Sequence, residues 1–425
     1  MEYMSVKEAA RKWKISERYV QRYCTEGRID GATRLGRAWA IPADAQKPED
    51  RRQRKAEQEG TNQEEAAQEE QEADREDVRE ELPQETGTDE VNQQPHMLMP
   101  LLCMPYPPGA ALQTVTAIED ADTRNIALGE YYYFTGRSAM ASDVVEKYLI
   151  HKDVALRLSA CLIYAYANLA LDRIPRSRQA LQQIRTAPHM VDENTTVLER
   201  AYVVCAAAGA NVMLHLPMPE DIPPIRRCIS MLPAGLRLFA LYLQAHSAYL
   251  EGHYGTCIGI AETALSLEEE IYPISSIYLH LAAVMGYINL RQSDRAREHF
   301  LEAWRLAYPD DMIEAFGEHH GLLGGMIEVV LRKDYPNDFK RITDITYSFS
   351  AGWRKIHNSD MGHHVADDLT TMEFTIAMLA AKGWSNKEIS AHLDISVNTV
   401  KMYVSSVLQQ LNVAQRKDLV AYMLK

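Results

Sequence analysis

The sequence predicts a mainly α-helical chain, and three observations carry that reading. Apolar residues recur at helical spacing through most of 112–360 and 369–424, and the strand signal is confined to Ala32–Leu35 and Ala38–Ile41. Ser/Thr-x-x-Glu capping boxes stand at Ser5–Glu8, Thr370–Glu373 and Ser385–Glu388, each ahead of a periodic run. A long acidic stretch poor in large apolar residues separates the first forty-odd residues from the rest.

The 425 residues allow about two to four domains, and a hydrophobic share of 46% supplies a sizeable core. The net charge of −14 argues against a generally basic coat, but it is unevenly spread. Residues 1–56 hold 14 Lys and Arg against 8 Asp and Glu, whereas 57–95 hold 2 against 15. Residues 369–425 hold 6 against 4, so the two ends are the basic parts. None of the six cysteines forms a C-x-x-C pair, which leaves no visible zinc knuckle or redox motif and fits a reducing cytoplasm. The opening MEYMSVKEAARKW lacks the apolar core of a signal peptide. The uncharged run Ile271–Leu290 is long enough to cross a bilayer, but Pro273, His280 and Asn289 make it a buried helix of a chain with no membrane partner.

Residues 1–43 read as a small domain. Val6, Ala9, Ala10 and Trp13 form one helical face behind the Ser5 box. Ser16 caps a second helix with Val20, Tyr23 and Cys24 inward and Arg18, Gln21 and Arg22 outward. After the break Gly27–Gly31, the two strand segments flank Gly36-Arg37 as a hairpin, and Pro42 ends it. This order resembles the winged helix-turn-helix of excisionase and MerR-type domains. The resemblance implies that Arg18, Gln21 and Arg22 face a major groove and that Arg34 and Arg37 of the wing touch phosphate. A basic solvated face, or a protein contact, accounts for the same charges. Residues 44–96 are an acidic linker, expected to be disordered because they cannot bury enough apolar surface to offset their ordering entropy.

Residues 97–109, MLMPLLCMPYPPG, read as an extended segment laid on the next domain. Helix pairs follow at Ala127–Gly136 with Ser142–Leu149, Ser159–Leu171 with Arg176–Ile184, Leu238–Leu250 with Ile258–Leu267, and Ile277–Leu290 with Asp294–Ala307. Ala245, Ala248, Ala282 and Gly286 are small where helices must approach, and Ala261 and Ala303 recur in second helices. The pattern resembles tetratricopeptide repeats. That resemblance implies a stacked helical domain over 97–360 with a concave face for a peptide, a partner protein or a small effector. The aromatic run Tyr131–Phe134 suits repeat packing first and a ligand groove second. His319-His320 and His363-His364 read as surface or core histidines, with no metal expected. No phosphate loop, nucleophile elbow or paired-carboxylate site is visible, so neither an enzyme nor a cofactor is expected.

Residues 365–425 close the chain. A helix starts at the Thr370 box and ends at Gly383. A second starts at the Ser385 box, with Ile389 and Leu393 on one face. Asp394-Ile395 turns, and Ser396 caps a third helix over 397–411, whose Val400, Val404, Val407, Leu408 and Leu411 face inward. Its other face carries Asn398, Lys401, Met402 and Ser405, and a fourth helix runs from Arg416 to Leu424. The stretch LTTMEFTIAMLAAKGWSNKEISAHLDISVNTVKMYVSSVLQQLNVAQRKDLVAYM closely resembles the LuxR-type DNA-binding domain. That resemblance implies that Lys401, Met402 and Ser405 meet base edges. Lys387, Ser396, Asn398 and Thr399 would hold phosphate or the start of the recognition helix. Glu373 would tie the first helix to the others, and Leu419, Val420 and Met423 would supply a homodimer surface. Tyr403, Ser405 and Gln410 depart from the family's basic pattern and imply weaker phosphate attraction. The expected protein is a cytoplasmic, bacterial-type, sequence-specific regulator of transcription that binds double-stranded DNA and is controlled at its helical repeats. The alternative is an interaction scaffold whose helix-turn-helix domains only localise it.

Overall fold

A computed structural model describes residues 3–13, 20, 24, 29, 31–35, 38–43, 45–46, 96–267, 269–361, 365–366 and 369–423. The chain divides into two compact units, Met1–Val91 and Asn92–Lys425. Arg18, Gln21, Arg22, Arg37, the Arg34 side chain, the linker from 47 to 95, and His363 and His364 lie outside the described residues.

In the first unit, strand β1 (Tyr3–Ser5) leads into helix α1 (Val6–Trp13). The Ser5–Glu8 box is made: the Ser5 N–H donates to Glu8 Oε2 at 2.7 Å and the Glu8 N–H to Ser5 Oγ at 3.3 Å. Strands β2 (Thr33–Leu35) and β3 (Ala38–Pro42) form the antiparallel wing, Leu35 opposite Ala38. Strand β1 has no signal in the sequence; it pairs with β3, Tyr3 opposite Pro42, and gives the sheet order β1-β3-β2. Ala9, Ala10, Trp13, Val20, Cys24, Ile29 and Ile41 make the core of this unit.

In the second unit, helices pair where the repeat spacing places them. The pairs are α4 (Ala121–Phe134) with α5 (Ser138–Val145), and α6 (Val154–Ala170) with α7 (Ile174–Thr186). After α8 (Val197–Met213) come α9 (Ala234–Leu250) with α10 (Tyr254–Leu267), and α11 (Pro273–Asn289) with α12 (Ser293–Ala307). One local device closes each first helix: a residue in the left-handed region followed by a backward N–H bond. It is Gly136, Asp172, Gly252 and Arg291 in the four pairs, and His215 after α8. The Arg137, Arg173, His253, Gln292 and Leu216 N–H groups donate back at 2.8–2.9 Å to Tyr132, Asn168, Ala248, Tyr287 and Asn211. Small residues set the crossings as expected: a Cβ on Gly286 would sit 2.6 Å from the Ile258 side chain. Ala245, Ala261, Ala282 and Ala303 are fully buried. The Ile271–Leu290 run forms the buried α11, and no helix among the described residues is long and apolar enough to cross a membrane. His319 and His320 are core side chains, 2% and 3% exposed.

The segment before the repeats is more deeply placed than the reading of an extended strap on the surface. Pro100–Cys103 is a short helix, α2, followed by α3 (Ala111–Thr116), and Leu98, Leu101 and Leu102 are almost wholly buried. It meets the first helices of all four pairs. Glu130 on α4 accepts the Leu101 and Leu102 N–H groups at 3.0 Å each, and Ser159 Oγ on α6 accepts that of Met99 at 2.8 Å. Gly235 on α9 lets the Leu102 carbonyl approach, since a Cβ there would lie 2.3 Å from that oxygen, and α11 also touches α2. The three leucines contribute roughly 5–9 kcal/mol before the segment's ordering cost is subtracted. Four prolines read as extended chain in isolation. Burial selects a helical turn, with Pro100 at its first position, where the missing N–H is no loss.

Helices α13 (Glu314–His319), α14 (Met326–Asp334) and the long α15 (Pro336–Met361) complete the body of the unit. The terminal helices are α16 (Thr371–Ala381), α17 (Asn386–Leu393) and α18 (Val397–Gln410). The fourth element, expected as an α-helix, is a 3₁₀ helix over Arg416–Tyr422. Both capping boxes are made, and Gly383, Asp394 and Asn412 take the left-handed positions between elements.

Glu130 is fully buried, and burial raises its pKa to about 8 against the two N–H bonds that lower it. Glu130→Ala orphans two buried donors and should cost about 1–3 kcal/mol in urea unfolding of the full chain at pH 6, while exposed Glu119→Ala changes little. Because the folded pKa lies above the ordinary 4.5, the stability Glu130 contributes is fully present below 4.5 and is lost as pH rises through about 8. The variant should lack that part of the pH dependence.

Candidate nucleic-acid interface

Helix α18 is positioned by its own cap and by the helix in front of it. Ser396 Oγ accepts the Thr399 N–H at 3.0 Å and lies 2.8 Å from the Thr399 hydroxyl, so both side chains serve the helix start. Val400, Val404 and Val407 are buried, fixing which face turns outward. Asn398, Lys401, Met402 and Ser405 are exposed on that outer face, Met402 at 60%. Asn398, Lys401 and Ser405 follow i, i+3, i+7 spacing, so they line one stripe. Lys387 is exposed at the start of α17.

An open groove runs between these parts, bordered by Lys387, Lys401, Arg416 and Lys417. The first two are expected from the sequence; the last two are additions from the fold. Arg416 donates to Asn386 Oδ1 at 2.6 Å, to the Ala380 carbonyl at 3.3 Å and to the Trp384 carbonyl. Burial lowers its pKa, yet the guanidinium stays charged and pins the last element to α16 and α17. Its one sequence signal is the adjacent pair Arg416-Lys417 after the Asn412-Val413 break.

Glu373 joins the first and third helices. Its Oε2 takes the Thr370 N–H and hydroxyl, and its Oε1 takes Ser406 Oγ at 3.2 Å and Gln410 Nε2 at 2.7 Å. Burial pushes this carboxyl up, but those donors together hold it below its ordinary value. Gln410 stays exposed but spends its amide on Glu373, so its missing charge is also a gained bond between helices. Leu419 and Met423, expected at a dimer surface, are 0% and 1% exposed within the domain's own core, and only Val420 of the three is exposed. The reason is the 3₁₀ winding, anchored where the Ala366 N–H donates to the Tyr422 carbonyl at 2.9 Å.

The opposite side of the terminal domain is docked on the repeats. Lys382 Nζ donates to Tyr249 Oη and Asn289 Oδ1, both at 2.7 Å, and lies 5.0 Å from the Tyr249 ring centre. Burial lowers its pKa to about 8. Arg291 donates to Glu388 Oε1 at 2.7 Å and to the Gly383 carbonyl at 3.0 Å. His392 Nε2 lies 2.7 Å from the Gly324 carbonyl and therefore carries the proton, leaving Nδ1 to accept from Ser293 Oγ at 2.9 Å. Burial depresses the His392 pKa, in keeping with that neutral form.

Comparison with known proteins gives two matching families. The family described as bacterial regulatory proteins, luxR family, matches residues 367–423, and a helix-turn-helix domain family matches residues 3–45. The oxygen regulatory protein NreC of Staphylococcus carnosus is 32% identical over 103 residues, 23% of this chain and 45% of that protein. The response regulator protein VraR of Staphylococcus aureus is 44% identical over 54 residues, 13% of this chain and 26% of its own length, and VraR of Staphylococcus epidermidis matches equally. The chain thus spans less than half the length of these relatives. It carries a helix-turn-helix domain at each end, and the C-terminal one is a LuxR-family regulatory domain.

Proposed function

We propose that the chain is a cytoplasmic, non-enzymatic regulator of transcription that places α18 in the major groove of double-stranded DNA. The observation that carries the reading is the division of the terminal domain into two faces. Asn398, Lys401, Met402 and Ser405 are open to solvent, while Lys382, Gly383, Glu388 and His392 are held by the repeat unit. Met402 and Ser405 suit base edges, and Lys387, Lys401 and Lys417 suit the phosphates on either side. The exposed face argues against masking by the repeats. Control acts instead through alignment: docking fixes where the domain points, and two copies must point correctly to meet adjacent half-sites. A homodimer through the last element, with Val420 at its surface, belongs to this proposal. So does an effector at the repeats. The names of the relatives, a regulatory protein and a response regulator, agree with it.

Lys401→Ala and Lys387→Ala should each weaken binding to promoter DNA and flatten the dependence of log affinity on log salt by about one unit for each phosphate no longer neutralised. Unchanged affinity at every salt concentration would remove the recognition assignment. If docking restrains the domain, Arg291→Ala should raise DNA affinity several-fold in gel shift, an effect a purely structural arginine would not give.

The docked Lys382 has a pKa of about 8 against an ordinary 10.5. Between those values the docked lysine is neutral and the released one charged, so docking sheds a proton and tightens as pH rises. Hydrogen exchange in α16 should slow from pH 8 to 9.5 after correction for intrinsic rates, and Lys382→Met should abolish that trend.

A further inference from the structure

The interior of the repeat unit holds a carboxylate that its own protein surroundings leave without a counter-ion. Glu318 sits on α13 where two chambers meet. One is walled by Leu98, Leu102, Phe134, Ile163 and Phe239, and Glu318 is the one carboxylate in its lining. The other is lined by His215, His246, His319, Trp353 and Arg354 and by Leu369 and Phe374 of the terminal domain. The first has the usual make-up of a small-molecule site, apolar walls with a single charged group.

The groups around Glu318 are donors without charge. Tyr278 donates to Oε2 at 2.7 Å and Tyr133 to Oε1. Burial pushes both phenols well up, so they stay protonated. Burial raises the Glu318 carboxyl above its ordinary value, and the two phenol bonds offset that only in part. His319 Nδ1 lies 2.8 Å from the Ala315 carbonyl and must carry the proton there, so Nε2 accepts from Tyr242 Oη at 2.7 Å and the ring is neutral. Burial lowers the pKa of His319 to about 4 and that of His215 to about 3. Glu314, one turn earlier, adds a second carboxyl whose Oε1 has no hydrogen-bond partner. Among the described residues no ion pair involves Glu314 or Glu318. Both Glu318 oxygens accept from a phenol, and neither phenol brings a charge to offset an ionised carboxyl. Two of its four lone-pair positions remain for another donor.

We propose that these chambers bind an apolar ligand bearing one ammonium group, with the ammonium on Glu318 and the apolar body against Phe134, Ile163 and Phe239. This rests on the reading of the repeat unit as the controlling part of the chain. A half-buried carboxylate without a counter-ion loses solvation when it ionises, and a ligand cation offsets that loss while using the open lone pairs. Neutral and anionic ligands of the same shape gain nothing from Glu318. The ligand also reaches the wall formed by Leu369 and Phe374, so its presence is felt at the base of the terminal domain.

The test uses the full chain with n-octylamine, 1-octanol and octanoate in calorimetric titration and thermal melting. Octylamine should bind saturably and raise the melting temperature, octanol should bind about tenfold or more weakly, and octanoate should not bind. Glu318→Gln should reduce octylamine to the level of octanol while leaving octanol binding in place, which shows that the variant is folded. Trileucine amide with a free or an acetylated N-terminus asks whether a peptide end supplies the ammonium. Preference for either free amine over its neutral analogue supports the site. Equal binding of charged and neutral forms in both series, or an unchanged preference in Glu318→Gln, overturns it. DNA binding is read on the same samples: if it persists without amine preference, the ligand inference alone fails, and if it is absent, the regulator reading fails first.

Discussion

The insertion of Lys382 between Tyr249 and Asn289 decides how the terminal domain presents itself. A half-buried ammonium needs acceptors in fixed places, and both are 2.7 Å away. Burial that lowers its pKa to about 8 makes a misplaced lysine expensive, so the contact specifies one register more than it adds stability. Arg291 and His392 complete the register from two other directions. With α16 and α17 committed to the repeats, α18 keeps its polar stripe in solvent. The docked helices and the open stripe are thus different faces of the domain, and the repeats hold it without covering α18.

The residues that make this possible sit where local preference is overruled. The turn after each first helix asks for a left-handed residue, which glycine fills at Gly136 and Gly252. Arg291 and His215 take the same conformation at a cost of roughly 1 kcal/mol each. Each uses the position. Arg291 points out of its turn to Glu388 and Gly383, and His215 lines the chamber beside Trp353. Departures from local consistency of this kind mark function more reliably than surface charge does.

Much of the architecture is legible in the sequence because it is local. Capping boxes need only four residues in sequence, and Ser5–Glu8, Thr370–Glu373 and Ser385–Glu388 are all made. The apolar period places the helix pairs, and the inward stripe of Val400, Val404 and Val407 places the outward one. What the sequence hides is all long-range. Strand β1 exists because β3 offers it an edge. The 97–109 segment becomes a buried plug because Glu130, Ser159 and Gly235 converge on it from three helices. Leu419 and Met423 have the spacing of an interface, and only the packing of the last element shows that the chain itself covers them. Glu318 has no local signature, since its environment is assembled from α4, α11 and α13.

Helices α9 and α11 carry both ends of the proposed coupling. Tyr242, whose hydroxyl meets His246 and His319, lies on α9, and Tyr278, which holds Glu318, lies on α11. About two and three turns further along the same helices are Tyr249 and Asn289, which hold Lys382. A ligand changes docking only if it binds one arrangement of these helices better than another, by as much as its affinities differ. The two helices are packed against each other, and Ala245 and Ala282 are fully buried where side chains must be small. Little slack exists there to absorb a shift locally. A rotation or slide of α11 that accommodates an ammonium at Glu318 must also move Asn289 relative to Lys382, and the same rigidity carries the effect back: DNA that pulls on the terminal domain changes the fit at Glu318 by an equal free energy.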